Sequence, residues 1–243
     1  MSLKIHVYTV CWNEAAMLPH FLTYYSEFCE KIIVYDNYST DDSVKICEQF
    51  PKVQIKNFFT DSEIRDDIYL KIKNEAWKNS RGQCDYVIVC DVDEFVYHPQ
   101  LSDFLKQKAA EGITLFRTSG FNMVASDFPA PGINLIQTIR EGVPSLSFSK
   151  LSVFNPDLVE EINYEYGGHK CCPVGRLKFS IDEVKLLHYK FLGLDRTLKR
   201  YREMGSRLSK YNRKRGLGLH YLYSSGRIKK EFNQLFKSKE QVI

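Results

Sequence analysis

Apolar and polar positions fall into two kinds of block along the first hundred residues. Short β-rich runs, "LKIHVYTV", "KIIVYD", "VQIKNFF" and "DYVIVCDVDEF", alternate with stretches of helical spacing, "NEAAMLPHFLTYYSEF", "TDDSVKICEQF" and residues 61 to 80. Strands alternating with helices predict an α/β fold with a mainly parallel, Rossmann-like sheet flanked by helices. Runs such as "KIIVY" and "YVIVC" lack polar alternation, as expected of strands buried on both faces. "STDDS" predicts a helix start, with Thr40 or Asp41 as the cap and acidic residues in the first turn. Past residue 110 the pattern changes. "ITLFRTSGF", "SFSKLSVF" and "EVKLLHY" read as further strands, "DFPAPGINLIQTIREGVP" as a loop or lid, and from Asp195 the chain reads as a basic helix. With no repeat or low-complexity linker, the expected organisation is one domain over residues 1–194 and a basic helical extension over 195–243, packed on or beside it.

Composition narrows the class. The 243 residues are 44% hydrophobic and 26% charged, values of an ordinary folded globular chain. No apolar run reaches the ~18 residues of a spanning helix, and the N-terminus starts on a strand pattern rather than a signal peptide, so a cytoplasmic location is expected. Seven cysteines at irregular spacing predict reduced thiols rather than a disulfide framework. Cys171 and Cys172 follow His169 closely, but no second Cys or His pair completes a zinc set. The net charge of +4 hides an asymmetry: residues 196–243 hold fourteen Lys or Arg and three Glu, leaving 20 basic and 27 acidic residues, a net of −7, in the rest. Such a tail suits phosphate groups, nucleic acid or an anionic membrane surface, or is simply a solvated helix face.

The carboxylates Asp91, Asp93 and Glu94 interrupt an apolar run. On a strand, side chains two apart project to one side, so Asp91 and Asp93 would share a site. Like charges that close call for a cation between them, and oxygen ligands suit Mg²⁺ or Mn²⁺. A polar turn after a buried strand is the plainer reading. Two other strand ends, "VCWNEAAML" and "VYDNYSTDDS", also present polar residues. Open α/β sheets bind ligands at that end.

In this order and spacing, Asn13-Glu14, Asp36-Asn37-x-Ser39-x-Asp41 and Asp91-x-Asp93-Glu94 resemble the GT-A glycosyltransferases, particularly the family 2-like group of bacterial surface-glycan type. "GGHKCCPVG" and "LLHYKFLG" look like Gly-His and His-Tyr segments found late in such proteins. The resemblance implies a GT-A-like fold and metal-dependent transfer of a sugar from a nucleotide-sugar, expected to be a UDP-sugar, to a glycan or lipid-linked acceptor. It gives Asn13, Glu14 and Asp36 the base and ribose, lets Asn37 and Ser39 shape that pocket, and adds Asn74 from the third helix. Asp91 would touch ribose or metal, and Asp93 would ligate the Mn²⁺ or Mg²⁺ that bridges the diphosphate. His188 resembles a late metal- or phosphate-contacting histidine; Lys150, His188 or Lys190 would assist the leaving group, and His169 would approach the ligand. Inversion needs a carboxylate base. Candidates are Asp127, preferred because its loop should flank the acceptor, then Glu165 and Glu94. The usual late acidic motif is not obvious, which leaves the base and the stereochemical outcome open. Against these roles stand capping or turn formation for Asn13 and Asp36, solvent exposure for Asn74 and a structural histidine at 188.

Two rivals follow. A sugar-phosphate nucleotidyltransferase would need a Gly-rich basic loop after the first strand, which "CWNEAAML" lacks. A nucleic-acid-binding protein would use the basic tail with Tyr201, Tyr211, Tyr221 and Tyr223 for stacking, but the tail better suits an anionic membrane on the inner face, beside a lipid-linked acceptor.

Overall fold

The computed structural model describes residues 3–243. Its first half runs β1 (Ile5–Cys11), α1 (Leu18–Ser26), β2 (Lys31–Asp36), α2 (Ser43–Glu48), β3 (Val53–Asn57), α3 (Asp66–Glu75), β4 (Tyr86–Val89), β5 (Glu94–Tyr97), α4 (Leu101–Ala110) and β6 (Leu115–Ala125). There follow α5 (Leu135–Thr138), β7 (Glu141–Pro144), β8 (Leu151–Phe154), β9 (Val159–Glu161), β10 (Val174–Gly175) and β11 (Val184–Leu192). The basic end forms α6 (Leu194–Ser206), α7 (Lys210–Arg215), α8 (Ser225–Ser238) and β12 (Glu240–Gln241).

The fold is α/β and its main sheet is mixed. Strands β4, β1, β2 and β3 lie side by side and parallel, so the ends of β1, β2 and β4 open on one edge. Antiparallel β8 joins this half to β6, which pairs in parallel with β11, and β11 in turn pairs antiparallel with β5. Alternation along the buried strands divides the core in two. Ile5, Val7, Ile32, Val34, Tyr86 and Ile88 meet Leu18, Phe21 and Leu22 of α1 on one face, while Tyr8, Ile33, Val87 and Val89 meet Trp77 and Phe154 on the other. In α1 the buried positions 18, 21, 22 and 25 fall on one stripe, and Pro19 opens the helix where its missing N–H costs nothing.

Three local expectations change. "DYVIVCDVDEF" is not one strand: β4 stops at Val89, a turn closed by Glu94 N–H on the Asp91 carbonyl at 3.0 Å follows, and β5 starts at Glu94. The loop "DFPAPGINLIQTIREGVP" contains α5 and β7, and the helix over 61–80 is shorter, with α3 passing into a 3₁₀ turn at Ala76–Ser80. The helix start falls one residue past the expected caps, at Asp42, whose side chain makes no capping bond; Asp41 accepts the Ser43 N–H at 2.9 Å and, through its other oxygen, the Ala15 N–H at 3.0 Å, so it joins two strand-end loops. No helix of the described residues is long and apolar enough to cross a membrane.

Candidate active site

The loop after β1 turns through Asn13 in the left-handed region, at φ 49°, a conformation Asn tolerates better than most residues. Its amide is committed locally. Asn13 Oδ1 accepts the Thr40 N–H at 2.7 Å, Nδ2 donates to Thr40 Oγ1 at 3.1 Å, and the Asn13 N–H donates to Ser39 Oγ at 2.9 Å. At the end of β2 the buried Asp36 accepts the Ser39 N–H at 2.9 Å and the Ser39 hydroxyl at 2.5 Å. Asn37 donates to Thr60 Oγ1 at 2.7 Å and keeps a buried Oδ1 without a partner. Asn13, Asp36, Asn37 and Ser39 are therefore brought together, as expected, though largely through bonds to one another. Glu14 is drawn instead to Arg200 of α6, which also donates to the Trp12 and Asn13 carbonyls. Burial pushes the Glu14 carboxyl up to about 7 against the pull of Arg200.

Asn74 makes no bond to the residues gathered at the strand ends. Its Oδ1 accepts the Tyr164 N–H at 2.7 Å and its Nδ2 donates to the Tyr164 carbonyl at 3.2 Å, a clamp that uses the amide on the backbone of a neighbouring segment. The amide expected to contact the ligand is thus spent on the Tyr164 backbone.

Asp91 and Asp93 belong to the turn, not a strand, and face different partners. Lys73 of α3 holds Asp91 at 2.7 Å. Burial opposes the Lys73 charge, but Asp91 and then Glu94 outweigh it and raise its pKa to about 12. Asp93 Oδ2 lies 3.3 Å from His188 Nε2. Burial alone would raise the Asp93 carboxyl; His188, then Lys190 and Arg196, hold it well below the usual range. His188 stacks on Phe148 at 3.8 Å, and its Nδ1 meets Asn122 Oδ1 at 2.9 Å. An amide oxygen can only accept, so Nδ1 donates to Asn122, and without a metal the contact with Asp93 needs a proton on Nε2 as well; a metal held between Nε2 and Asp93 would take that proton's place.

Glu94 is fully buried, with one oxygen 2.6 Å from Lys150 Nζ and the other accepting the Asp91 N–H at 3.0 Å. Both oxygens are used and neither faces solvent, so the expectation of a base here is corrected to an anchor for the turn. Lys150 is equally committed. His169 stands in the turn at 166–169, where a Cβ on Gly168 would lie 3.7 Å from Lys73 Nζ; its Nδ1 donates to the Ser147 carbonyl at 2.7 Å, and its ring meets Phe148 edge-on. Asp127 and Glu165 are exposed, and Asp127 accepts the Ser126 hydroxyl at 2.8 Å.

Among the described residues no three His, Cys, Asp or Glu side chains cluster as a metal cage, Cys171 and Cys172 included. The Asp93 carboxylate nevertheless suits a hard divalent ion. Mg²⁺ and ions like it take one or two carboxylates and complete their shell with water and substrate phosphate oxygens, and Asp93 with His188 Nε2 offers two donors on one side.

The site thus joins three strand ends, a carboxylate–imidazole pair and a set of cations. A family model described as glycosyl transferase family 2 matches residues 7–140, more than half of the chain. The chain belongs to glycosyl transferase family 2. Among solved structures it is similar to TarS of S. aureus, with 14% identity, 84% of this chain and 39% of that chain covered, and a TM-score of 0.46. S. aureus TarS 1-349 in complex with UDP matches at 11% identity, 84% and 65% coverage and a TM-score of 0.48. Glucosyl-3-phosphoglycerate synthase from Mycobacterium tuberculosis in complex with Mn²⁺, UDP and glucosyl-3-phosphoglycerate matches at 17%, 68% and 61%, with a TM-score of 0.40. The chain spans less than two thirds of the length of each. No functionally curated protein matches it.

The family 2 match ends before the second half of the site. Lys73, Arg196 and Arg200 were absent from the sequence-based set, although Arg196 and Arg200 are spaced i, i+4 directly after a strand that carries His188. That spacing puts both on one helix face and was the available signal.

Proposed function

We propose that this family 2 chain is a metal-dependent hexosyltransferase that transfers a sugar from a UDP-sugar to a glycan or lipid-linked acceptor with inversion. The observation that carries the reading is the Asp93–His188 Nε2 pair, 3.3 Å apart, set where the ends of β1, β2 and β4 converge. Asp36, Asn37 and Ser39, locked by Asn13, form the wall for base and ribose, and Glu14 is held beside it by Arg200. Lys73 keeps Asp91 turned toward α3, which suits a ribose contact better than a shared metal. Asp93 and His188 would hold Mn²⁺ or Mg²⁺. Bound there, the ion would supply Lewis-acid stabilisation of the leaving diphosphate.

With Glu94 sealed in the core, Asp127 and Glu165 are the carboxylates open to an acceptor. We assign the base to Asp127, because Phe128 next to it stacks under Arg196 at 4.1 Å and ties its loop to the cleft. Leu219 and Leu222, 42% and 46% exposed, lie one turn apart on a 3₁₀ turn. Around them Lys210, Arg213, Lys214, Arg215, Arg227, Lys229 and Lys230 are exposed, and no acidic residue occurs from Met204 to Lys230. Aliphatic side chains within a basic field suit an anionic membrane face better than nucleic acid, in line with a lipid-linked acceptor on the cytoplasmic side.

The test is calorimetry of wild type and Asp93→Ala with UDP, GDP, CDP and ADP, each with and without Mn²⁺. UDP should bind, with affinity that requires Mn²⁺ and is lost in the variant. Binding by no nucleotide, or binding indifferent to both metal and Asp93, would sink the reading.

A further inference from the structure

The cations beside the strand ends differ in what holds them, and Arg207 is stacked on Trp12 in the wall itself. Lys73 is spent on Asp91, Lys150 on Glu94 and Arg200 on Glu14. Lys190 and Arg196 pair with no carboxylate among the described residues and rest on aromatic rings instead. Lys190 Nζ is 4.7 Å from the Tyr201 ring centre and 5.3 Å from that of Tyr221, and the Arg196 guanidinium is 4.1 Å from that of Phe128. A ring face steadies a cation without cancelling its charge.

Both side chains are half-buried, so each gives up part of its hydration with no anion in return. That cost is removed when an anion enters. Their position says which anion. Lys190 follows His188 by two residues on β11, where the pairing with β6 is irregular, and the N–H of Tyr189 between them donates to the Asp93 carbonyl at 2.8 Å; Arg196 comes from the first turn of α6, just past that strand. Both act on Asp93 without bonding to it. Other acids do not pair with them: Glu14 is taken by Arg200, and Glu231, whose charge acts on Lys190, forms no ion pair with it.

We infer that Lys190 and Arg196 form a two-point clamp on the donor's diphosphate, acting as catalytic residues on the leaving group; this rests on the nucleotide-sugar reading above. Neither residue lies in the segment matched to the family. A divalent ion on Asp93 and neutral His188 leaves one net positive charge, less than a diphosphate brings, and the two side chains supply the remainder. In the transfer, the bond from the anomeric carbon to the β-phosphate oxygen breaks and its electron pair stays on that oxygen. The acceptor hydroxyl oxygen bonds to the anomeric carbon and passes its proton to the carboxylate base. Charge on the departing oxygen grows beside Lys190 and Arg196, where fixed cations are most effective.

The experiment measures binding of Mn²⁺–UDP, inorganic pyrophosphate and uridine to wild type, Lys190→Met, Arg196→Met, the charge-keeping Lys190→Arg and Arg196→Lys, and Lys199→Met on the exposed face of α6. Where the wild type prefers GDP, CDP or ADP, that nucleotide and its nucleoside replace UDP and uridine. Each Met variant should weaken the diphosphate and pyrophosphate about tenfold or more, while uridine and Lys199→Met stay within about twofold of wild type and the charge-keeping variants recover most of the loss. Diphosphate affinity within twofold of wild type in both Met variants overturns the clamp, as does equal loss of nucleoside and diphosphate that the charge-keeping variants share. A wild type that binds no nucleoside diphosphate overturns the functional reading beneath it instead.

Discussion

The two halves of the cleft use polar side chains in opposite ways. On the N-terminal side, Asn13, Asp36, Ser39, Asn74 and Glu94 spend their hydrogen bonds on other parts of the chain. On the C-terminal side, His188 Nε2 meets Asp93, while Lys190 and Arg196 rest on aromatic rings and pair with no carboxylate among the described residues. On the proposed reading, one half builds a wall and the other supplies groups for the diphosphate and its metal. A motif rich in Asp and Asn therefore reads as chemistry, yet much of it is architecture.

Substitutions on the two sides should separate stability from binding. The largest effect is expected from Glu94→Gln, which leaves the Lys150 charge buried without its counterion; such a loss costs about 3–5 kcal/mol, seen as a lower urea midpoint. A midpoint equal to that of wild type would remove Glu94 from the architectural set. On the other side, His188→Ala should lower the midpoint by less than Glu94→Gln, through loss of its stack on Phe148 and its bond to Asn122, and weaken Mn²⁺-dependent nucleotide binding about 100-fold, by loss of one of two metal donors. Calorimetry showing unchanged metal dependence would break the contrast. The smallest change is Asn74→Ala, which removes two backbone clamps for about 1–2 kcal/mol of stability. Nucleotide affinity should stay within about twofold, and a larger loss would return Asn74 to the ligand-contacting set.

The contrast also explains what was legible beforehand. The parallel strands, the helices between them and the convergence of residues 13–14, 36–41 and 91–93 follow from apolar runs and turn residues, both local properties. The split of Asp91 from Asp93 was not legible, because strand alternation puts them on one side. The Glu94 N–H closing onto the Asp91 carbonyl breaks that alternation, and Lys73 and His188 then draw the two carboxylates apart. Glu94 likewise read as one carboxylate of three until Lys150, 56 positions away, was seen to meet it in the core.

By itself, the sequence determined the α/β alternation, the edge of the sheet where polar residues gather and the family to which they point, because hydrophobic periodicity and strand-end motifs act over a few residues. Only the tertiary structure decided which charges cancel and which stay free. Whether a lysine neutralises a carboxylate or waits for an anion depends on distances of a few ångströms between segments far apart in the chain, and local periodicity carries no record of those distances.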